Sequence, residues 1–311
     1  MRNKLRTWAA LGTLIILFLM SARQSSAATK QPSGVTISPA FQQVSINQNE
    51  LEQAVTFRIT NNQSKAQTYN LSAADFNTLG ESGGLFFVGT NPTELQKKYG
   101  LAKWFSLPAK TIIIQPKQTY VLKAMIENLP DLTPGGHYGA LMLSQSNGSS
   151  NNQVSVHPIA SSLMFVTKLG GDTHMLGLNG VETKHSLFSL PSNITLRFHD
   201  DGNTHLTPRG IVTISTPQGR LITRGIINED SNIILPETYR RYNVQLKKVS
   251  SAYAVGRYVL NVNFRFDGLN QFRRYQVSFL YVPMAVLVGA GAIVLAVAGI
   301  IINKLKQRKT A

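Results

Sequence analysis

Between residues 34 and 281 the chain is written in short runs that alternate apolar and polar side chains, broken by Asn, Gly, Pro and Ser. Ala54-Val-Thr-Phe-Arg-Ile-Thr60, Thr119-Tyr-Val-Leu-Lys-Ala-Met-Ile126 and Ser192-Asn-Ile-Thr-Leu-Arg-Phe198 are three of them. Gly210-Ile-Val-Thr-Ile-Ser215 and Gly256-Arg-Tyr-Val-Leu-Asn-Val-Asn-Phe-Arg-Phe266 are two more. A period of two gives each run one apolar and one polar face, as an antiparallel sheet covering a core on one side requires. One short segment outside the ends departs from this period. Pro92-Thr-Glu-Leu-Gln-Lys-Lys-Tyr99 reads as a helical insert between strands, with Asn91 as its cap and Pro92 in its first turn.

The two ends follow a different rule. Arg2, Lys4 and Arg6 precede the apolar run Trp8 to Met20, and Ser25-Ser26-Ala27-Ala28 supplies the small residues of a cleavage site. That order predicts a signal peptide over 1–27. Pro283 to Ile302 contains no charged residue and matches the roughly 20 residues that cross a hydrocarbon core of about 30 Å. Tyr281 sits at its outer edge, and the basic tail 303–311 carries Lys304, Lys306, Arg308 and Lys309. Positive charge stays on the cytoplasmic side, so the pattern predicts a single-pass type I membrane protein with its N-terminal region outside. Gly289, Gly291 and Gly299 lie in the span without forming a GxxxG motif.

The alternating runs and their turn signals predict an all-β fold: two tandem immunoglobulin-like β-sandwiches followed by one transmembrane helix. The expected boundaries are 34–170 for the first sandwich, 175–281 for the second, and 283–302 for the helix, with Gly170-Gly171-Asp172 between the sandwiches. The polar Asn147-Gly-Ser-Ser-Asn-Asn152 stretch is read as a hairpin loop inside the first sandwich, because the strand after it needs a sheet to join.

Charge modifies this picture less than it first suggests. The chain carries 31 Lys and Arg against 15 Asp and Glu, a net of +16. Eight of the basic residues lie in the signal region and the tail, which leaves an exported part of about +8. That excess suits an anionic wall polymer or simple solubility, and the lack of a basic helix or an aromatic–basic repeat argues against nucleic acid as a partner. There is no Cys. An exported chain of this size without disulfides points to a bacterial or archaeal surface, where its cores suffice alone. On such a surface the sequons at Asn62, Asn70, Asn147 and Asn193 carry no glycosylation message.

The most distinctive residues are Trp104-Phe-Ser-Leu-Pro108, Ile114-Gln-Pro116-Lys-Gln118 and Pro134-Gly-Gly-His-Tyr-Gly-Ala140. Val35-Thr-Ile-Ser-Pro39 and Val55-Thr-Phe-Arg-Ile-Thr-Asn-Asn62 precede them, and Phe198-His-Asp-Asp-Gly-Asn-Thr-His205 marks the second half. In this order they resemble the WxL-interacting protein family of Gram-positive surfaces. Lys117 stands where that family's middle turn usually has Gly. The resemblance implies two immunoglobulin-like domains and a C-terminal anchor. It also implies peptidoglycan binding by the first domain, contact of the second with host proteins, and pairing with surface proteins that bear a Trp-x-Leu motif. Trp104 reads as a large core filler and His137 and Tyr138 open the next strand, and the three are also taken as candidate binding residues. Phe86 and Phe87, in Glu81-Ser-Gly-Gly-Leu-Phe-Phe-Val88, are read either as core or as a ligand platform.

No catalytic motif accompanies these features: G-x-S-x-G, S-x-x-K and P-loop patterns are absent from the sequence. His199-Asp200-Asp201 with His205 contains chemically capable metal ligands, but a turn between strands collects the same residue types, and no metal or other cofactor is expected. Leu235-Pro-Glu-Thr-Tyr239 resembles a sortase signal whose Gly is replaced by Tyr239, and is read as a strand-connecting turn. The expectation is a non-catalytic, membrane-anchored surface protein that binds wall polymer or other surface proteins. The alternative is a membrane-tethered assembly factor for exported chains, and a surface hydrolase stands behind both.

Overall fold

The computed structural model describes residues 34–88, 91–145, 159–184, 186–252 and 254–309. The predicted signal peptide and the Asn147–Asn152 loop lie outside them. The first half contains β1 (Val35–Ser38), β2 (Phe41–Ile46), β3 (Glu52–Asn61), β4 (Gln67–Leu79), β5 (Gly84–Phe87), the helix α1 (Glu94–Tyr99), β6 (Phe105–Ser106), β7 (Thr111–Ile114), β8 (Thr119–Glu127), β9 (Gly135–Gln145) and β10 (Ile159–Lys168). The second half contains β11 (Leu176–Thr183), β12 (Asn193–Asp200), β13 (Arg209–Ser215), β14 (Leu221–Ile227), β15 (Tyr239–Gln245), β16 (Lys247–Lys248), β17 (Gly256–Arg265) and β18 (Arg273–Tyr281). A long helix, α2 (Met284–Lys309), follows directly.

In the first half one sheet has the order β1-β3-β8-β6, and the facing sheet has the order β2-β10-β9-β4-β5, with β7 also paired to β4. Alternation turns Val55, Phe57 and Ile59 of β3 and Leu122, Ala124 and Ile126 of β8 inward. They meet Tyr69, Leu71, Leu141, Leu143, Met164 and Val166 of the other sheet in one buried cluster. Each such side chain contributes roughly 1.5–3 kcal/mol when fully buried. Strands β9 and β10 are antiparallel neighbours over ten residue pairs, as the hairpin reading of the segment between them requires. The chain crosses between sheets early. β1 pairs with β3, whereas β2, after a cis Ser38–Pro39 bond, runs parallel to β10.

The second half repeats the arrangement with the orders β11-β12-β15 and β16-β14-β13-β17-β18. Its core joins Leu196, Phe198 and Val244 of the smaller sheet to Val212, Ile214, Leu260, Val262 and Phe264 of the larger. A third cluster lies between the halves. It contains Phe76, Tyr99, Tyr138, Ala140 and Phe165 from the first half and Leu235 from the second.

One local expectation is corrected. The cap of α1 is Thr93 rather than Asn91: Thr93 Oγ1 accepts from Gln96 N, and Gln96 Oε1 accepts from Thr93 N. This reciprocal pair satisfies two otherwise orphaned donors, which a cap further upstream would leave open. At the Pro116 turn, Lys117 takes φ 60°, the left-handed conformation that a Gly would adopt without strain. Its Nζ donates to Asn62 O at 2.5 Å.

The helix α2 exposes apolar side chains all round, and its Met284–Lys304 stretch is long and apolar enough to cross a membrane.

Candidate functional site: the cleft between the halves

Trp104, His137 and Tyr138 are brought close together, but inside the fold. Trp104 is buried at the edge of the first core, where its Nε1 donates to Asp131 Oδ1 at 2.9 Å and its ring meets His137 edge-on at 5.4 Å. His137 has one ring nitrogen 3.0 Å from Gly100 O and the other 2.8 Å from Thr133 O. Burial holds its pKa below the ordinary value. Tyr138, on the opposite face of β9, packs against Phe76, Tyr99, Phe165 and His205 at ring distances of 5.6–6.4 Å. All three side chains shape the surface from behind, and none opens to solvent. Phe86 is half-buried and Phe87 exposed on β5, paired with Asn77 and Phe76 of β4.

The junction of the halves is built largely by the loop that follows β12. Asn203 O accepts from Gly136 N at 2.7 Å. The Asn203 side chain donates to Pro134 O and Gly171 O and accepts from Thr173 N. Here the Pro134-Gly135-Gly136 turn has a close-approach role. Gly135 has φ 118°, and a Cβ on Gly136 would lie 2.0 Å from Tyr138 Oη. His205 reaches across to Tyr138 Oη at 3.4 Å and Gln43 Nε2 at 3.3 Å, and burial lowers its pKa to about 4. Asp200 is fully buried. Its Oδ1 accepts from Gly202 N, its Oδ2 has no hydrogen-bond partner among the described residues, and burial raises its pKa to about 8. His199 instead turns outward to Asp201, at 2.6 Å. The His–Asp run is thus divided between junction, core and surface. Among the described residues no group of three or more His, Asp or Glu is placed to hold a metal.

Two ion-pair clusters fasten the periphery. Glu81, at the tip of the β4–β5 hairpin, accepts from Arg197 Nε and Nη2 and from Arg241 Nε at 2.6–2.9 Å. These guanidinium hydrogen bonds bring its pKa down to about 2. The hairpin also meets β15 through its backbone, Glu81 O accepting from Arg241 N at 2.8 Å. Glu237 binds Lys98 Nζ at 2.5 Å and accepts from Tyr99 Oη at 2.8 Å. Burial, then the bond to Glu237, pushes the Tyr99 phenol up to about 12. The Leu235–Tyr239 segment is a turn entering β15, with Glu237 at φ 56°.

Between these fasteners lies an open cleft of about 340 Å³. Phe41 and Ala40 at the start of β2, Leu163 and Phe165 of β10, and Leu85 of the hairpin form its wall on the first half. Ile233, Leu235, Asp230 and Arg240 close it from the second half. Phe41 is 55% exposed, and β2 pairs only with β10 among the described residues, so the cleft borders an unpaired strand edge. These are the residues that the motif reading passed over. Their signal was one of parity. Phe41 lies on the outward side of a strand whose Ile46 is buried, and Leu163-Met-Phe-Val166 is apolar on both faces where a half-buried strand needs only one.

A second concavity, about 540 Å³, lies on the outer face of the five-stranded sheet. Arg209, Arg224, Arg265 and Arg274 line it, with Phe272. Arg209 is paired with Asp267 at 2.7 Å, the one acid bound to these four cations among the described residues.

No family model matches the chain, and no curated protein matches it. Among solved structures it is similar to a chain from a chaperone–tip adhesin complex of CFA/I fimbriae, at 9% identity over 81% of this chain and 100% of that one, with a TM-score of 0.42. It is similar to the class 5 fimbriae chaperone CfaA, at 10% identity over 80% of this chain and 100% of that one, with a TM-score of 0.39. The E. coli chaperone DraB has 11% identity over 79% of this chain and 98% of its own length, with a TM-score of 0.36. No residue role is carried over from any of them.

Proposed function

We propose that this protein is a non-catalytic assembly factor, exported and held by α2 in a type I orientation, which receives an extended segment of another exported chain in the cleft between two immunoglobulin-like domains. The cleft itself carries this reading: an apolar trough floored by Phe41, Leu163 and Phe165 beside the unpaired edge of β2. Main-chain hydrogen bonds to such an edge supply affinity, and a pocket for alternate side chains supplies selectivity. Arg240 at the rim adds a cation, although one of its guanidinium nitrogens is already donated to Ile233 O. A surface protein bearing a Trp-x-Leu motif has the apolar side chains such a trough takes. The test uses the purified full chain in detergent and a panel of extended peptides from exported proteins, with alternating apolar residues, titrated by calorimetry. Phe41→Glu is expected to weaken the best binder by about tenfold or more, the loss of one well-buried apolar contact. Equal affinity in the variant sinks the cleft as the receiving site.

The arginine-lined face supports a second reading, a scaffold that holds anionic wall polymer or decorated peptidoglycan. Four guanidinium groups with one carboxylate partner form a strongly positive surface. Retention on purified wall material that is lost on Arg224→Ala with Arg274→Ala, while Phe41→Glu leaves it intact, selects this reading over the first.

A further inference from the structure

The connection between β11 and β12 ends in a feature that neither the cleft nor the basic face uses. Ser186, Leu187, Phe188 and Ser189 form a tight turn. Ser186 N donates to Ser189 O at 3.4 Å, Ser189 N donates to Ser186 O at 3.3 Å, and the two hydroxyls lie 2.7 Å apart. Phe188 N donates to Ser186 Oγ at 3.3 Å. The two residues at the tip are therefore Leu187 and Phe188, 42% and 43% exposed. Turn tips ordinarily carry Gly, Asn, Asp or Ser, because those residues suit the backbone and the solvent. A closed turn that presents two large apolar side chains is built for a less aqueous neighbour.

Its height in the molecule identifies that neighbour. Leu187 O accepts from Val282 N at 2.7 Å. Val282 is two residues before the start of α2, hence at most about 7 Å from it along an extended chain. The headgroup zone on each side of the hydrocarbon core is about 5–8 Å deep. If α2 enters the bilayer at its start, Val282 lies within that zone and the Leu187 carbonyl lies one hydrogen bond from it. The direction agrees. Arg273 Nη1 donates to Leu176 O, so β11 and β18 start level with one another and run together toward α2. Leu280 and Val255, both at least half exposed, lie at the same end. Gly256 pairs with Tyr281 there, and Arg257 pairs with Leu280. Lys184 and Arg257 are exposed beside them and are able to meet lipid phosphates.

We propose that the Leu187–Phe188 turn is a membrane-interface wedge, seated in the outer leaflet of the bilayer that α2 crosses, so that the second half rests on the lipid surface rather than swinging from a hinge. The proposal rests on the reading of α2 as a membrane span. The chain has no Cys, so single labelling sites are clean. The full chain is reconstituted into phosphatidylcholine–phosphatidylglycerol vesicles with an environment-sensitive fluorophore on Phe188→Cys, Leu187→Cys, Val297→Cys or Asn270→Cys. Positions 187 and 188 are expected to be quenched by nitroxide-bearing lipid and to show iodide quenching at least about threefold weaker than position 270, as a shallowly inserted side chain does. Position 297 is expected to be quenched by lipid alone. If position 297 is shielded while 187 and 188 are as accessible to iodide as 270, the wedge fails and the span stands. If position 297 is itself open to iodide, the span fails and takes the wedge with it.

Discussion

Asp200 shows how much a single buried side chain decides. Its carboxyl is fully buried with one oxygen unpartnered among the described residues, and burial raises its pKa to about 8. A carboxyl whose folded pKa lies above its unfolded value of 3.8 stabilises the fold most fully below pH 3.8, and this contribution disappears as the pH rises through about 8. His205 acts in the opposite sense. Its pKa falls from 6.5 to about 4 through burial, so its contribution is present above 6.5 and is lost as the pH falls through about 4. Asp200→Asn is therefore expected to flatten the stability profile between about pH 4 and pH 8, the window in which the folded carboxyl keeps a proton that the unfolded one has lost. At pH 8 its melting temperature should exceed that of the wild type by on the order of 4 °C, the shift that about 1–2 kcal/mol produces at this size. A parallel shift at all pH values from thermal melts over pH 4–9 would show that Asp200 does not titrate in this range. Asp200 was legible in the sequence only as one member of a polar run. Alternation assigns it inward, since Leu196 and Phe198 precede it at a spacing of two, but the same run also looks like a turn. Trp104, His137 and Tyr138 carry the converse lesson. Their motif is distinctive because the positions are crowded, and crowding reads the same in sequence whether it serves a core or a ligand.

Among the elements, strands with one apolar face were the readable part. The runs 54–60, 119–126 and 210–215 fall within β3, β8 and β13. Partnership was not readable. Nothing in Phe41–Ile46 distinguishes a strand that continues β1 from one that crosses to the other sheet and runs parallel to β10, because both choices bury Ile46. In sequence the β4–β5 hairpin reads as core or as a ligand platform, and what its tip does depends on residues more than a hundred positions away. Glu81 binds Arg197 and Arg241, so the hairpin leans on the second half and narrows the cleft with Leu85. Glu81→Gln removes the charge while preserving size. Hydrogen exchange should then show the amides of 79–85 opening about tenfold faster, with the strands β3 and β8 unaffected, since hairpin tips open locally before cores do. Unchanged exchange at the hairpin would mean that its backbone bond to Arg241 is sufficient on its own.

Taken whole, the molecule is two sheet pairs joined by a short connection, Gly170 to Thr173, and braced beside it by Asn203. Glycines 170 and 171 alone would allow a wide range of angles. The Asn203 contacts to Pro134, Gly136, Gly171 and Thr173 remove that freedom. Asn203→Ala is expected to broaden the distance distribution between spin labels on one engineered Cys in each half, while circular dichroism of both β cores stays that of the wild type. A distribution as narrow as in the wild type would assign the rigidity to the aromatic cluster around Tyr138 instead. The brace was hidden in the sequence for a plain reason: an Asn after Asp-Gly is an ordinary turn residue, and only the approach of another turn gives it four partners.

The direct run of β18 into α2 has a mechanical consequence. If α2 spans a membrane and the cleft holds an exported chain, as proposed, a pull between the two enters the second half along β18. The nine residue pairs that join β18 to β17 then carry the load together, in shear, rather than parting one after another from an end. A strand attached at its other end would peel. On that proposal the joint next to α2 resists tension along the strand, and the first part to yield under load should be the grip of the cleft on its occupant.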